Sequence, residues 1–178
     1  ANAMGLGLTG AALQPGSTSA MLASRSIDGG RSWSPVATLA RDGPAYFHDK
    51  NSLTADPTDA RLVYAVWDRL DPAGNGPTLL ARSVDGGANW QPARVIVTPT
   101  SGGVSQTLGN RIVVLAAGAE RGTLLNVFTQ IDTVASTSSS RIAVVRSGDQ
   151  GATWSAPIFV ADLRAVGARN PEGGQMIR

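Results

Sequence analysis

One nine-residue phrase occurs three times in this chain of 178 residues, and it restricts the fold more than any other feature. Arg25-Ser26-Ile27-Asp28-Gly29-Gly30-Arg31-Ser32-Trp33, Arg82-Ser83-Val84-Asp85-Gly86-Gly87-Ala88-Asn89-Trp90 and Arg146-Ser147-Gly148-Asp149-Gln150-Gly151-Ala152-Thr153-Trp154 align without gaps as R-S-x-D-x-G-x-x-W. With ordinary residue usage the S-x-D-x-G-x-x-W core has a chance on the order of 10⁻⁵ or less per position. Three copies in one short chain mark a repeat array, in which each unit buries its apolar face against the next.

The spacing gives the size of the unit. Ser26 to Ser83 is 57 positions and Ser83 to Ser147 is 64, which suits a four-stranded sheet with its loops. A β-like run precedes each motif: Met21-Leu22-Ala23, Leu79-Leu80-Ala81 and Ile142-Ala143-Val144-Val145. A proline (Pro35, Pro92, Pro157) and a second β-like run (36–39, 95–97, 158–160) follow it. Each motif is therefore predicted as the turn of a hairpin. Two further strands precede the second motif (51–55 and 61–67) and two the third (111–115 and 123–130). The runs 61–67 and 123–130 are continuously apolar rather than alternating, as expected of strands covered on both faces. No stretch combines a helix cap with an apolar stripe; 161–166 comes nearest and is too short.

The turn chemistry explains the fixed positions. Asp28, Asp85 and Asp149 stand where a carboxylate accepts backbone N–H bonds, and Ser26, Ser83 and Ser147 add a second local bond. Gly30, Gly87 and Gly151 fall where a positive φ is needed. Trp33, Trp90 and Trp154 return the chain to the sheet and pack on it.

Composition removes other chemistries. There are no cysteines and one histidine, which excludes disulfide scaffolds, thiol nucleophiles and Cys- or multi-His metal sites. No D-x-D-x-D-G calcium loop occurs, so neither metal nor cofactor is expected. The net charge is +2 and the basic residues never form a run, so no nucleic-acid surface is predicted. No run of eighteen apolar residues occurs, so no membrane-spanning helix is predicted. Residues 1–20 read as an irregular, tag-like start, with Ala1-Asn2-Ala3 resembling a vector-derived scar, and 4–13 lacks the basic flank of a signal peptide.

The three motifs resemble the Asp-box, or BNR repeat, of the sialidase superfamily. The flanking phrases Asp49-Lys50-Asn51-Ser52-Leu53-Thr54-Ala55-Asp56-Pro57 and Leu62-Val63-Tyr64-Ala65-Val66-Trp67 look like first and second blade strands of bacterial sialidase-like proteins. The resemblance implies an all-β, sialidase-like β-propeller, present in part. Two complete four-stranded antiparallel blades (49–105 and 106–163) follow a half blade (21–48), and 164–178 leads into another. That is about two and a half blades, where closed propellers have roughly 4–8. The chain then reads as part of a longer propeller, or as one that associates with its own copies. The resemblance also implies a carbohydrate-active, glycoside-hydrolase-type protein of exo-sialidase kind, secreted or at the cell surface. The alternative it carries is a non-catalytic propeller that binds glycan or protein. In this family the Asp-boxes lie away from the active site.

The family's catalytic set transfers poorly. Sialidases use an arginine triad on a substrate carboxylate, a Tyr–Glu nucleophile pair and an Asp acid/base. The Phe/Tyr-Arg-Ile-Pro motif of the first arginine is absent. Tyr64 reads as core, Tyr46 as loop, and Glu120 and Glu172 stand in turns without a tyrosine beside them. What remains lies near the beginnings of first strands, which line a propeller's central channel. Asp49 is the candidate acid/base, and Arg111 the candidate partner of an anionic group. His48, Lys50 and Asn110 are candidates to face the ligand.

Overall fold

The computed structural model describes the backbone of residues 2–9 and all of residues 15–163. These form eleven strands and no helix. Blade 1 holds β1 (Asn2–Thr9), β2 (Thr18–Arg25) and β3 (Ala37–Asp42). Blade 2 holds β4 (Phe47–Ala55), β5 (Val63–Leu70), β6 (Thr78–Ser83) and β7 (Arg94–Val97). Blade 3 holds β8 (Val104–Val114), β9 (Leu124–Val134), β10 (Thr137–Ser147) and β11 (Ile158–Asp162). Each blade is an antiparallel meander in chain order.

One correction concerns the start. The first unit has three strands, not two, because β1 pairs with β2 along its whole length, from Asn2 opposite Arg25 to Thr9 opposite Thr18. Its sequence, NAMGLGLT, is glycine-rich and does not alternate clearly, so it carries little strand signal of its own and is recruited by pairing. The first strands of blades 2 and 3 also begin earlier than 51 and 111. The expected lead into another blade, with its turn at 170–174, lies outside the described residues.

The core lies in the seams between blades. Trp67, Ala65, Leu79 and Ala81 of blade 2 meet Met21, Ala23 and Leu39 of blade 1. On the other face of blade 2, Leu62, Tyr64, Val66 and Leu80 meet Ile112, Val114 and Leu124 of blade 3. The β5 residues Val63 to Asp68 are therefore buried without a break, which accounts for the continuous apolar run in the sequence. In β9 burial alternates instead, since only one face is covered.

The three motif turns are built alike. The Ser hydroxyl donates to the Asp Oδ1 at 2.9, 2.8 and 2.7 Å and accepts the N–H of the second glycine at 2.7, 2.8 and 2.8 Å. The same Asp Oδ1 accepts the N–H of Ser32, Asn89 or Thr153. Its Oδ2 accepts from that residue's side chain at 2.6, 2.8 and 2.6 Å. Gly30, Gly87 and Gly151 have φ of 89°, 87° and 81°, and the residue before each, Gly29, Gly86 or Gln150, is also positive at 77°, 72° and 58°. Two successive left-handed residues turn several N–H groups inward, and the Ser hydroxyl and the Asp carboxylate divide them.

These bonds hold the Asp28 carboxyl at about 2, chiefly through the Ser32 hydroxyl. They hold Asp85 at about 2, chiefly through the Asn89 N–H, and the Thr153 hydroxyl lowers Asp149 in the same way. A depressed folded pKa contributes stability that is complete above the unfolded value near 3.8 and fades as pH falls through about 2. Asp85→Ala should therefore lower the melting temperature at pH 7 and narrow that difference at pH 2, as read by thermal melts at both. Ligand binding by the folded variant should be unchanged, because the turns and the cleft described next lie on different parts of the blades.

Candidate functional site

Topology separates two ends of the blades. The motif turns join the last two strands of each blade. The loops joining second to third strands (71–77, 135–136) and one blade to the next (43–46, 98–103) lie at the opposite end. The innermost strands β4 and β8 are neighbours, tied by Thr54 Oγ1 donating to the Ile112 carbonyl at 2.8 Å.

Both inner strands carry a bulge at the same place. Between Asp49 and Ser52 three steps of β4 match two steps of β5, from Asp68 to Val66. Between Leu108 and Arg111 three steps of β8 match two of β9, from Thr129 to Val127. The left-handed residue is Lys50 in one bulge (φ 42°) and Gly109 in the other (φ 67°). A lysine there is strained where a glycine is not, and bulges re-aim side chains. Together they open a cleft of about 210 Å³ lined by Lys50, Asn51, Ser52, Gly109, Asn110 and Arg111.

Asp49 sits beside this cleft. It is largely covered, and Lys50 Nζ donates to both of its oxygens at 3.0 Å while the Lys50 N–H donates to Oδ1 at 2.8 Å. Directly across the pair stands Asp68, fully buried with no hydrogen-bond partner for either oxygen. Burial pushes the Asp68 carboxyl up to about 8, and the neighbouring Asp49 charge adds to this. At neutral pH the site therefore holds a protonated Asp68 beside Asp49. Arg111 is exposed at the cleft and makes no ion pair among the described residues.

Two sequence candidates have other employment. His48 is fully buried in β4 rather than turned to a ligand. Its Nδ1 accepts the Trp67 indole N–H at 2.8 Å. Its Nε2 lies 2.9 Å from Asp42 Oδ2 but off the N–H axis. Burial lowers its pKa, so it stays neutral with Nδ1 occupied and cannot act as a base. Asn110 is also buried, and its Oδ1 accepts from Thr78 at 2.8 Å and Asn126 at 3.0 Å. It forms the wall of the cleft rather than a donor into it.

Sequence reasoning did not find Asp68, Thr78, Asn126 or the group around Asp42, in which Arg69 reaches Asp42 at 3.5 Å and stacks on Tyr46 at 4.1 Å. One signal for Asp68 was present: an acidic residue directly continuing the apolar run that ends at Trp67. Tyr64 is core as expected; its phenol donates to Asp56, and burial raises its pKa. Glu120 pairs with Arg146 in the loop between first and second strands, at the motif-turn end.

No protein-family model and no curated protein matches the sequence. Solved structures do match the fold. A Hadza microbial sialidase aligns over 83% of this chain and 35% of its own, at 18% identity and a TM-score of 0.60. The α-L-arabinanase of Penicillium chrysogenum, complexed with arabinobiose, aligns over 97% of this chain and 46% of its own, at 14% identity and a TM-score of 0.64. The chain thus spans less than half the length of either structure, and its fold is a sialidase-like β-propeller, present in part.

Proposed function

We propose that this chain is part of a carbohydrate-active, Asp-box propeller of glycoside-hydrolase type, and that its ligand is an anionic sugar. The observation that carries the reading is the pairing of Asp49 and Asp68 beside a cleft lined by two cations. Glycoside hydrolysis needs a carboxylic acid and a carboxylate in one place. Here burial keeps Asp68 protonated, and Lys50 Nζ donates to both oxygens of Asp49 at 3.0 Å. Asp68 is sealed from solvent, so Asp49 is the group that would meet a glycosidic oxygen, with Asp68 as its proton-holding neighbour. Arg111 and Lys50 match a sugar carboxylate, Arg through its two-pronged guanidinium. Both solved neighbours carry names of glycan-acting enzymes, which supports the same class.

Tyr64 and Glu120 are held apart, Tyr64 against Asp56 and Glu120 against Arg146. That favours a second reading, a propeller that binds glycan or protein without turnover. A fluorogenic sialoside and arabinoside, offered to this chain and to any longer polypeptide containing it, separate the two, with calorimetric titration of the free acidic sugar alongside. Turnover should fall by roughly 10²–10⁴ in Asp49→Asn, the worth of a general acid/base. Arg111→Ala should weaken binding without changing the melting temperature. Binding without turnover, indifferent to Asp49→Asn, establishes the second reading; no binding of either sugar removes the first.

A further inference from the structure

At the motif-turn end, the seam between blades 2 and 3 carries a pocket of about 350 Å³ lined by Leu80, Arg82, Gln91, Pro92, Arg94 and Ala152. Both of its walls belong to described blades. Its volume falls within the ~300–1,000 Å³ of small-molecule sites, and a bare ion would leave most of it empty. Two guanidinium groups are fixed there. Arg82, on β6, donates from Nε to Gln91 Oε1 at 3.0 Å and from Nη1 to the Gln150 carbonyl of blade 3 at 2.8 Å. Arg94, the first residue of β7, donates from Nη1 to the Ala152 carbonyl at 2.9 Å. The two carbonyls lie two residues apart in one turn, so they bring both cations to the same place. Three bonds leave most of the donors of two arginines unused, since each guanidinium carries five N–H groups.

Nothing acidic answers this charge. No carboxylate lines the pocket, and among the described residues neither arginine forms an ion pair. The nearby Asp149 carboxylate is committed to Ser147 and Thr153 within its own turn. Nor is the second arginine part of the repeat. In motif register Arg82 corresponds to Arg25, Gln91 to Ser34 and Ala152 to Ala88, and these three line a pocket at the seam between blades 1 and 2. The place of Arg94 is taken there by Ala37. The blade 2 turn keeps the same internal bonds as the blade 3 turn without such an arginine beneath it, so building the turn does not require Arg94.

We propose that this pocket binds an acidic sugar residue through its oxyanion, at the end of the blades opposite the Asp49 cleft. Two like charges held together repel, and the carbonyls offset that only in part. An oxyanion between them removes the repulsion and takes up donors that a guanidinium presents in pairs. Gln91 gives its Oε1 to Arg82, which leaves its Nε2 as a further donor at the rim. Leu80 and Pro92 supply an apolar wall on which the C–H face of a sugar ring rests. Such a site anchors an acidic glycan and takes no part in cleaving it. It shares no residue with the cleft at Asp49 and does not depend on the roles given to Asp49 and Asp68.

The test titrates the parent chain and its Arg111→Ala variant, whose cleft has lost its guanidinium, with glucuronate, inorganic sulfate and glucose. NMR follows the arginine Nε–H signals and the Ala152 amide. In both proteins glucuronate should shift Arg82, Arg94 and Ala152 to saturation, and glucose should not. Arg94→Ala, at an exposed position, should weaken glucuronate binding by roughly tenfold or more, the worth of one charge-assisted pair, with the melting temperature unchanged. Arg94→Lys keeps the charge and loses the two-pronged donor, so it should recover only part of the affinity. Sulfate that shifts these signals while glucuronate does not would mean an ion site without a sugar, and overturns the proposal. So does an equal response to glucose, silence of Arg82 and Arg94 toward all three probes, or an Arg94→Ala variant that binds like the parent. Glucuronate seen only at Arg111 removes this site and leaves the proposed function standing; glucuronate seen only at Arg82 and Arg94 supports this site and takes the acidic sugar away from the cleft.

Discussion

Trp67→Ala should unfold the first seam. Trp67 is fully buried against Met21, Ala23 and Leu39 of blade 1 and Leu79 of its own blade, and removing a buried aromatic costs about 3–5 kcal/mol. The loss extends beyond packing. The indole N–H is the partner of His48 Nδ1 at 2.8 Å, and the two rings meet edge to face at 6.0 Å between centroids. Deleting the indole strands a buried nitrogen, which adds roughly 1–3 kcal/mol. The sum is comparable with the whole stability of an ordinary domain, about 5–15 kcal/mol. Trp67→Phe bounds the second part from above, because it keeps a six-membered ring in the seam and removes the N–H together with two ring carbons. Urea denaturation at pH 7 should place it about 1–3 kcal/mol below the parent. A phenylalanine variant as stable as the parent would show that the His48 bond contributes nothing.

The seam also shows how much of this molecule was legible beforehand. The motif fixes a hairpin turn through local bonds, all within a few residues, so the turns and the strands flanking them are readable from sequence. The unbroken apolar run of β5 announced a strand covered on both faces. The β9 run announced the same and is covered on one face only, because covering is a property of the neighbouring blade and not of the strand. The bulges were not legible. They adjoin Asp49 and Arg111, which lie within β4 and β8 rather than at or before strand starts, and they depend on register with β5 and β9. Lys50 in a left-handed conformation has no sequence signature. The roles of His48 and Asn110 are likewise set by partners 16 to 32 positions away, Trp67, Thr78 and Asn126. Asp49 and Lys50 are adjacent, so that part of the site could be read; its partner Asp68 is distant in sequence and joins it only by strand pairing.

Asp68 makes the sharpest prediction about pH. Its carboxyl is held at about 8 when folded against 3.8 when exposed. Between those values the unfolded chain has released the proton and the folded chain still holds it. The folded state then binds more protons, so stability falls as pH rises from about 4 to about 8 and levels off above. A difference of roughly four pKa units corresponds to an effect on the order of 5 kcal/mol. Asp68→Asn keeps the shape and cannot ionise. It should match the parent near pH 4 and exceed it increasingly up to pH 8. His48 acts in the opposite direction. Its lowered pKa gives a contribution that is complete above 6.5 and lost as pH falls. Both proteins share that contribution, as they share the motif aspartates, so the difference between their urea-denaturation profiles at pH 5, 7 and 9 reports Asp68 alone. Parallel profiles across that range would mean that Asp68 is ionised in the folded protein, and the proton-holding neighbour proposed for Asp49 would be lost with it.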